Sequence, residues 1–226
     1  MVGLQGTQGG AGRDTQATED AISILFVCTG NLCRSPTAQF LLATELGGPH
    51  PGSGAGLTDS RHQLPAHYYQ LSSCGTRTVP GLPMDELSAA ELRRRGHDPS
   101  DFRSTQLTES RVAAADLILT ATRSHRSLVL EREPRGLGRT FTMLEFAALL
   151  NQPGGPRAES TSAADLIRSA AAQRWRVSGS EIDVPDPRGQ PAAVHRATAD
   201  QLQEAMSVIG VGLPRALGEA SGRAVT

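Results

Sequence analysis

The stretch ISILFVCTGNLCRSPTAQFLLATEL, residues 22–46, decides the fold. Its first part, Ile22 to Val27, is a short apolar run rich in β-branched side chains, which predicts a strand buried on both faces. Helical spacing of apolar residues begins at Pro36, with Ser35 in the position of an N-cap and the proline at the favoured first helical position. The stretch therefore predicts a strand, a tight loop and a helix.

Strands and helices alternate through the rest of the chain. Apolar runs predict three further strands, at Tyr69–Ser73, Ala115–Thr120 and Arg139–Met143. Helical periodicity predicts helices at 84–95, 108–114, 124–131, 144–150, 163–173 and 192–211. Such alternation is typical of a parallel sheet with right-handed crossovers. We therefore predict a three-layer α/β fold, in which a four-stranded parallel sheet carries helices on both faces.

The chain of 226 residues is expected to form one domain between two tails. The predicted segments are a disordered N-terminal tail at 1–20, a domain at 21–215 with insertions near 47–65 and 151–180, and a disordered C-terminal tail at 216–226. Both insertions are polar and lack the apolar periodicity of the elements around them. The N-terminal tail lacks the charged and apolar regions of a signal peptide.

Composition excludes several classes of function. All 22 basic residues are Arg, so a Walker A phosphate loop and a pyridoxal-phosphate enzyme, which both need a Lys, are excluded. A net charge of -1 without long runs of one sign predicts neither nucleic acid nor a membrane as a partner. The chain has three cysteines, an odd number, and its N-terminal stretch does not resemble a secretory signal. Both features indicate a reducing compartment rather than a disulfide framework, and we expect a cytoplasmic protein.

The loop after the first strand carries the predicted chemistry. Cys28 lies at the carboxyl end of that strand, where α/β sheets bind ligands, and Arg34 follows six residues later at a helix start. Such a loop can turn its backbone N–H groups inward and form an anion-binding nest. The helix terminus and the guanidinium both favour the thiolate of Cys28. The spacing therefore predicts a nucleophile facing a tetrahedral oxyanion, with Arg34 binding two of its oxygens.

Three further loop residues have predicted roles. Ser35 can donate a hydrogen bond to the sulfur and ease its departure from a covalent intermediate. Gly30 and Asn31 are residue types that tolerate a positive φ, which a tightly curled loop requires. These residues are expected to support the nucleophile rather than react.

A displacement by sulfur also needs an acid for the leaving oxygen and a base for the attacking water. Asp183 and Asp186, in IDVPDPRG near the end of the chain, both qualify. Asp186 precedes Pro187, which favours an extended loop, and in an extended stretch the two carboxylates tend to point to opposite sides. We predict Asp186 as the acid, with Asp183 as the lesser candidate.

The sequence resembles a known family at these residues. VCTGNLCRSPTAQ, at 27–39, resembles the phosphate loop of the low molecular weight protein-tyrosine phosphatases of bacteria, and Asp186-Pro187 resembles their general-acid loop. SSCGT at 72–76 and the segment 103–130 are similar to other parts of that family. The resemblance implies hydrolysis of phosphotyrosine on proteins through a phosphocysteine intermediate on Cys28, with release of inorganic phosphate. It implies no metal and no organic cofactor.

The same resemblance implies roles for the remaining loop positions. The phosphate-binding loop would comprise Thr29, Gly30, Asn31, Leu32, Cys33 and Ser35, and Ser73 would join Asn31 and Ser35 in a supporting hydrogen-bond network. Cys33 is similar to a second cysteine that can trap the oxidised nucleophile as a reversible disulfide, although an inert packing role is equally open. Zinc binding by Cys28, Cys33 and a histidine is not expected, because the cysteine spacing and the isolated histidines miss the usual ligand patterns. The six histidines are predicted at surfaces or loop ends.

Three residues depart from the family pattern. Arg188 stands in the substrate cleft where many relatives have an aromatic residue, and it could stack on a ring or attract an acidic substrate. Phe102 replaces a supporting histidine. Cys74 replaces an alanine, and a small buried thiol is the favoured interpretation over a redox role.

Several functions remain open beside a tyrosine phosphatase. A protein-arginine phosphatase shares this fold, but those relatives carry a threonine where this chain has Leu32. An arsenate reductase needs a relay of further cysteines, for which only Cys74 is available. A slow-turnover phosphoprotein-binding module would retain the nest without efficient catalysis, and the presence of Cys28, Arg34 and Asp186 argues against it.

Overall fold

The computed structural model describes residues 21–47, 69–156, 160, 162–177 and 181–214. The two predicted tails, at 1–20 and 216–226, lie outside the described residues, as does nearly all of the predicted insertion near 47–65. Within the described ranges, no helix combines the length and the apolar character that a membrane span requires.

Four parallel strands form the described sheet, in the order β2-β1-β3-β4. Their bounds are β1 Ile22–Cys28, β2 Tyr69–Gly75, β3 Leu117–Thr120 and β4 Thr140–Thr142. The helices are α1 Arg34–Glu45, α2 Glu86–Arg94, α3 Glu109–Ala114, α4 Arg123–Arg132, α5 Met143–Leu150, α6 Ala163–Ala172 and α7 Ala192–Gly212. This arrangement confirms the predicted four-stranded parallel α/β sheet.

Two hydrophobic cores lie on opposite faces of the sheet, because successive strand residues point to opposite sides. Ile24 and Phe26 of β1 belong to the larger core, which includes apolar residues of α1, α5 and α7. Leu25 and Val27 belong to the smaller core, which includes Val112 of α3 and a residue of α4. The strand is therefore buried on both faces, as its apolar run predicts.

The start of α1 differs from the prediction. The helix begins at Arg34, and its N-cap is Cys33, whose side chain makes no capping hydrogen bond. Ser35 therefore lies inside the first turn, where its hydroxyl is 3.0 Å from the sulfur of Cys28 and accepts a hydrogen bond from Asn31. The first turn of α1 thus contributes the Ser35 hydroxyl to the hydrogen bonds of the preceding loop.

The second predicted insertion, near 151–180, is packed onto the domain where it is described. Leu166 and Ile167 of α6 are buried in the larger core. After α6, the guanidinium of Arg174 lies 4.4 Å from the ring centroid of Phe141, and its Nε lies 3.1 Å from a carboxylate oxygen of Glu145. This part of the chain thus extends the core beside β4.

The expectation that the histidines lie at surfaces or loop ends is wrong for His125 and His195, which lie within α4 and α7, whereas His97 lies in the loop after α2 but is buried. His97, His125 and His195 are all less than 8 % exposed. His195 is buried because it lies on the inner face of α7, where its Nδ1 is 2.9 Å from the hydroxyl of Ser88. His97 packs edge-on against the ring of Phe40. His50, His62 and His67 lie outside the described residues.

Candidate active site

The loop between β1 and α1 has the predicted positive φ at Asn31 but not at Gly30. Asn31 has a φ of 53°, which makes it the single described non-glycine residue with a positive φ. Gly75, at the end of β2, lies directly against the loop, and a Cβ on it would be 2.6 Å from the carbonyl oxygen of Thr29. Glycine is therefore required at this position, because any side chain would push the loop away from β2.

A buried hydrogen-bond network holds Asn31 from behind the loop. The amide nitrogen of Asn31 donates to the hydroxyls of Ser35 at 3.0 Å and Ser73 at 2.9 Å. Its amide oxygen accepts a hydrogen bond of 2.7 Å from the backbone N–H of Thr105. Ser73 in turn donates to the side-chain oxygen of Gln39 at 2.7 Å. The structure thus brings Asn31, Ser35 and Ser73 together, as the resemblance implies.

The sulfur of Cys28 lies at the end of this network. Its Sγ is 3.0 Å from the hydroxyl oxygen of Ser35 and only 2 % of the residue is exposed. Because Asn31 donates to Ser35, the hydroxyl proton of Ser35 is available to another acceptor. The sulfur is nearer than the alternative, the carbonyl oxygen of Cys74 at 3.4 Å. The geometry suits a hydroxyl that stabilises a thiolate.

The guanidinium of Arg34 is buried and only partly bonded. Its Nη1 donates to the carbonyl oxygen of Val184 at 3.2 Å, and its Nη2 donates to Asp186 at 2.7 Å and to the hydroxyl of Thr29 at 3.4 Å. Its Nε is buried and has no hydrogen-bond acceptor among the described residues. An unpaired buried donor is costly, so this nitrogen fits a site whose acceptor arrives with a ligand.

The two candidate acids occupy different places. Asp186 is half exposed and pairs with Arg34 over the pocket. Asp183 accepts hydrogen bonds from the backbone N–H of Arg123, at 2.7 Å, and from its guanidinium, at 3.2 Å. Asp183 is therefore held at the start of α4, and the structure places Asp186 beside the loop.

These residues enclose a pocket of about 180 Å³. It is lined by Cys28, Thr29, Gly30, Leu32, Cys33, Arg34, Asp186 and Arg188. No described residue accepts a hydrogen bond from the backbone N–H groups of residues 30–33, which agrees with a predicted anion nest. Among the described residues, no three His, Cys, Asp or Glu side chains converge in a way that could hold a metal ion.

The other two cysteines are buried thiols. Burial raises the pKa of Cys33 to about 12, although a hydrogen bond with Ser88 works in the opposite direction. Burial likewise raises the pKa of Cys74 to about 12, and Cys74 is completely buried in the smaller core. All three cysteines are free. A disulfide-forming role for Cys33 stays a prediction.

His125 is a residue of the site that the sequence analysis missed. Its Nε2 lies 2.9 Å from the hydroxyl of Thr29, and its Nδ1 lies 2.7 Å from the hydroxyl of Thr122. Burial, and next the positive charge of Arg34, lower the pKa of His125 to about 4, so the ring is neutral at physiological pH. The order of the strands could have indicated His125. Because β1 and β3 are neighbours, the loop after β1 and the start of α4 after β3 lie together at the carboxyl edge of the sheet.

Two other residues were missed because they brace the loop through its backbone or through another side chain. The hydroxyl of Thr78 donates to the carbonyl oxygen of Gly30 at 2.6 Å. Gln39 acts one step further away, through Ser73. Neither has a recognisable spacing from Cys28 in the sequence.

Comparison with known proteins now places this geometry in a family. The sequence model of the family described as low molecular weight phosphotyrosine protein phosphatase matches residues 23–152, which is more than half of the chain. The chain belongs to this family. It is therefore a cysteine-based phosphatase, with Cys28 and Arg34 inside the matched segment and Asp186 beyond it.

Individual relatives carry two different activities in their names. A protein-arginine-phosphatase of Geobacillus stearothermophilus is 28% identical over 80% of this chain and 88% of its own length. A Ralstonia solanacearum protein named "probable low molecular weight protein-tyrosine-phosphatase EpsP" is 33% identical over 55% of this chain and 72% of its own. The crystal structure of a low molecular weight protein tyrosine phosphatase from T. tengcongensis, 25% identical, covers 84% of this chain and 97% of that one with a TM-score of 0.58.

One departure from the family pattern acquires a structural explanation. Phe102 is buried and its ring centroid lies 6.5 Å from that of Phe40 in α1. The aromatic side chain therefore supports α1 through apolar packing, where a histidine would have offered a hydrogen bond.

Proposed function

We propose that this phosphatase hydrolyses phosphotyrosine on proteins through a phosphocysteine intermediate. The observation that carries the proposal is the pocket in which Cys28, Arg34 and Asp186 meet. The buried Nε of Arg34, which has no acceptor among the described residues, supports a phosphate oxygen as its partner. The products are inorganic phosphate and the dephosphorylated protein.

The side chains can carry out the two steps in sequence. The sulfur of Cys28 bonds to phosphorus as the phosphorus–oxygen bond to tyrosine breaks, and protonated Asp186 gives its proton to the departing oxygen. Water then attacks phosphorus and gives a proton to Asp186, and the sulfur–phosphorus bond breaks to return the thiolate and inorganic phosphate. Ser35, 3.0 Å from the sulfur, stabilises that thiolate.

The ion pair between Asp186 and Arg34 is compatible with this cycle. A phosphate that binds the guanidinium takes the place of Oδ2 of Asp186, while Oδ1 keeps its hydrogen bond from the backbone N–H of Arg188. The half-exposed carboxyl is then available to the leaving group. Binding of the substrate thereby releases the carboxyl of Asp186 from Arg34.

The lining of the pocket mouth favours tyrosine over arginine as the phosphorylated residue. Leu32 and Arg188 both line the pocket. A phenol ring carries no charge and can contact both side chains. Phosphoarginine would bring a second guanidinium toward Arg188, and two like charges in a confined site repel each other.

A protein-arginine phosphatase is the second candidate, and a specific observation favours it. The arginine phosphatase of Geobacillus aligns with 80% of this chain, whereas the Ralstonia tyrosine phosphatase aligns with 55%. Coverage reflects shared architecture more than shared specificity, since specificity depends on a few residues at the pocket. We therefore rank this candidate below the tyrosine phosphatase.

Phosphate release from a phosphotyrosyl and a phosphoarginyl peptide of otherwise identical sequence tests the proposal, with the Cys28→Ser variant as the blank. We expect faster release from the phosphotyrosyl peptide. Faster release from the phosphoarginyl peptide would establish the second candidate. Binding of either peptide without release would favour a slow-turnover binding module. Because the nucleophile is a free thiol, we propose that the enzyme works in a reducing compartment such as the cytoplasm.

A further inference from the structure

Arg188 lies at the mouth of the pocket in a defined position. Its Nη1 is 3.4 Å from the point that a Cβ atom would occupy on Gly30, so the guanidinium lies over the phosphate loop. The backbone N–H of Arg188 donates to the carboxylate of Asp186 at 3.2 Å, which fixes the turn that carries it. The residue is exposed and lines the pocket. Its guanidinium is therefore available to whatever flanks the phosphorylated residue.

The charges around the mouth leave this guanidinium uncompensated. Arg34 is paired with Asp186, and Arg123 is paired with Asp183. Within the described residues, the guanidinium of Arg188 has neither an ion pair nor a hydrogen bond. A bound phosphate adds negative charge at Arg34, deeper in the pocket, and leaves the charge of Arg188 unpaired at the rim.

We propose that Arg188 is an anion subsite that binds the carboxylate of an acidic residue adjacent to the phosphotyrosine in the substrate. This inference rests on the proposed function and names the class of substrate it selects. The planar guanidinium can bind both oxygens of a carboxylate, which a compact cation cannot do. Because the pair would be partly exposed to solvent, we expect a preference of about two- to fivefold for an acidic over a neutral flank.

The alternative use of the same side chain is stacking on the phosphotyrosine ring. Stacking would strengthen binding of every phosphotyrosyl peptide equally, whatever its flanking residues. A carboxylate subsite strengthens binding of the acidic peptide alone. The two uses therefore differ in the ratio of kcat/KM between acidic and neutral peptides.

The test compares two phosphotyrosyl peptides that differ only by Glu or Gln on either side of the phosphotyrosine. We expect the ratio of kcat/KM, acidic over neutral, to fall to about one in Arg188→Gln and below one in Arg188→Glu. Arg77→Gln is the matched control: Arg77 is also exposed and its backbone N–H donates to Thr29 of the loop, but it does not line the pocket. Arg77→Gln is expected to keep the wild-type ratio.

Several outcomes would overturn the subsite. An unchanged ratio in Arg188→Gln, with both peptides slowed equally, would assign Arg188 to the ring instead. An equal loss of the ratio in Arg77→Gln would indicate general electrostatic attraction rather than a subsite. If neither peptide is hydrolysed, the proposed function itself fails. The dissociation constants of the two peptides for Cys28→Ser, with and without Arg188→Gln, then test the subsite independently of turnover.

Discussion

The two sides of the phosphate loop differ in how far their polar groups are satisfied. Behind the loop, Asn31, Ser35 and Ser73 are buried and bonded to one another. In front of it, the Nε of Arg34 and the guanidinium of Arg188 have no acceptor among the described residues. The back thus fixes the loop before any ligand arrives, and the front keeps donors free for an anion. Electrostatic preorganisation of this kind needs both sides.

The largest expected effect comes from removing the nucleophile on the front side. Cys28→Ser should lower turnover of phosphotyrosyl peptide on the order of 10⁴-fold or more, because the oxygen nucleophile is not activated by this site. Inorganic phosphate should still bind, since the backbone N–H groups and Arg34 are unchanged. Phosphate release and calorimetry measure the two properties. Loss of phosphate binding together with turnover would show that the front depends on the sulfur itself.

The proposed acid, Asp186, gives the next largest expected effect. Asp186→Asn should slow hydrolysis of substrates with poor leaving groups by about 10²–10⁴-fold, and substrates with good leaving groups much less. Asp183→Asn is the matched control, because Asp183 is bonded to Arg123 at the start of α4. A series of aryl phosphates of graded leaving-group pKa measures the difference. The assignment of the acid is wrong if Asp183→Asn shows the steeper dependence on the leaving group.

The back of the loop is tested by a pair of substitutions at Asn31. Asn31→Ala removes the hydrogen bonds and also puts at a φ of 53° a residue that tolerates the left-handed region less well than asparagine, a strain of about 1–2 kcal/mol. Asn31→Gly removes the same hydrogen bonds without the strain. We expect both to lower kcat by about 10–10²-fold, through misplacement of the loop. Both should also lose stability, because their buried hydrogen-bond partners are left unpaired, and Asn31→Ala should lose more than Asn31→Gly. Urea unfolding and steady-state kinetics separate these contributions.

That pair also has a result that would contradict the comparison. If Asn31→Gly kept full activity, the hydrogen bonds behind the loop would contribute only to stability. The conformation of the loop would then depend on its own sequence and on the contact with Gly75. The back of the loop would no longer be a functional counterpart of the front.

The front of the site was predictable from sequence because its residues come from two short stretches. Cys28 to Ser35 follow one apolar strand, and Asp186 precedes a proline, so local rules identify them. The sheet was predictable for a similar reason, since the apolar runs of β1 and β3 have the length and composition of buried strands. Local pattern thus covers the architecture and the three residues that meet in the pocket, Cys28, Arg34 and Asp186, whose roles as nucleophile, anion-binding arginine and acid are proposals.

The back of the site was only partly predictable. Asn31, Ser35 and Ser73 followed from the family resemblance, but Gln39 and Thr105 join them through single hydrogen bonds from separate elements. Such contacts leave no periodic signal, because each depends on how whole elements pack. The error over the buried histidines has the same origin: polarity predicts exposure, and a partner hydroxyl brought by the fold reverses it.

His125 gives the smallest effect and joins the back to the front, because it contacts Thr29, which accepts a hydrogen bond from Arg34. Burial lowers the pKa of His125 to about 4 in the folded protein, against 6.5 for an unperturbed histidine. The unfolded chain therefore binds more protons between these values, and the stability that the neutral ring allows is lost as the pH falls through this range.

His125→Gln, which keeps a polar group near Thr29 but does not titrate, should lose less stability than the wild type between pH 6.5 and 4. Urea midpoints across that range measure it, with His97→Gln as the control for a buried histidine away from the loop. At pH 7 we expect only a few-fold decrease in kcat. If the urea midpoints of wild type and His125→Gln changed in parallel with pH, the ring would already be protonated or solvated in the folded protein. The partner of the Thr29 hydroxyl would then not be a neutral imidazole.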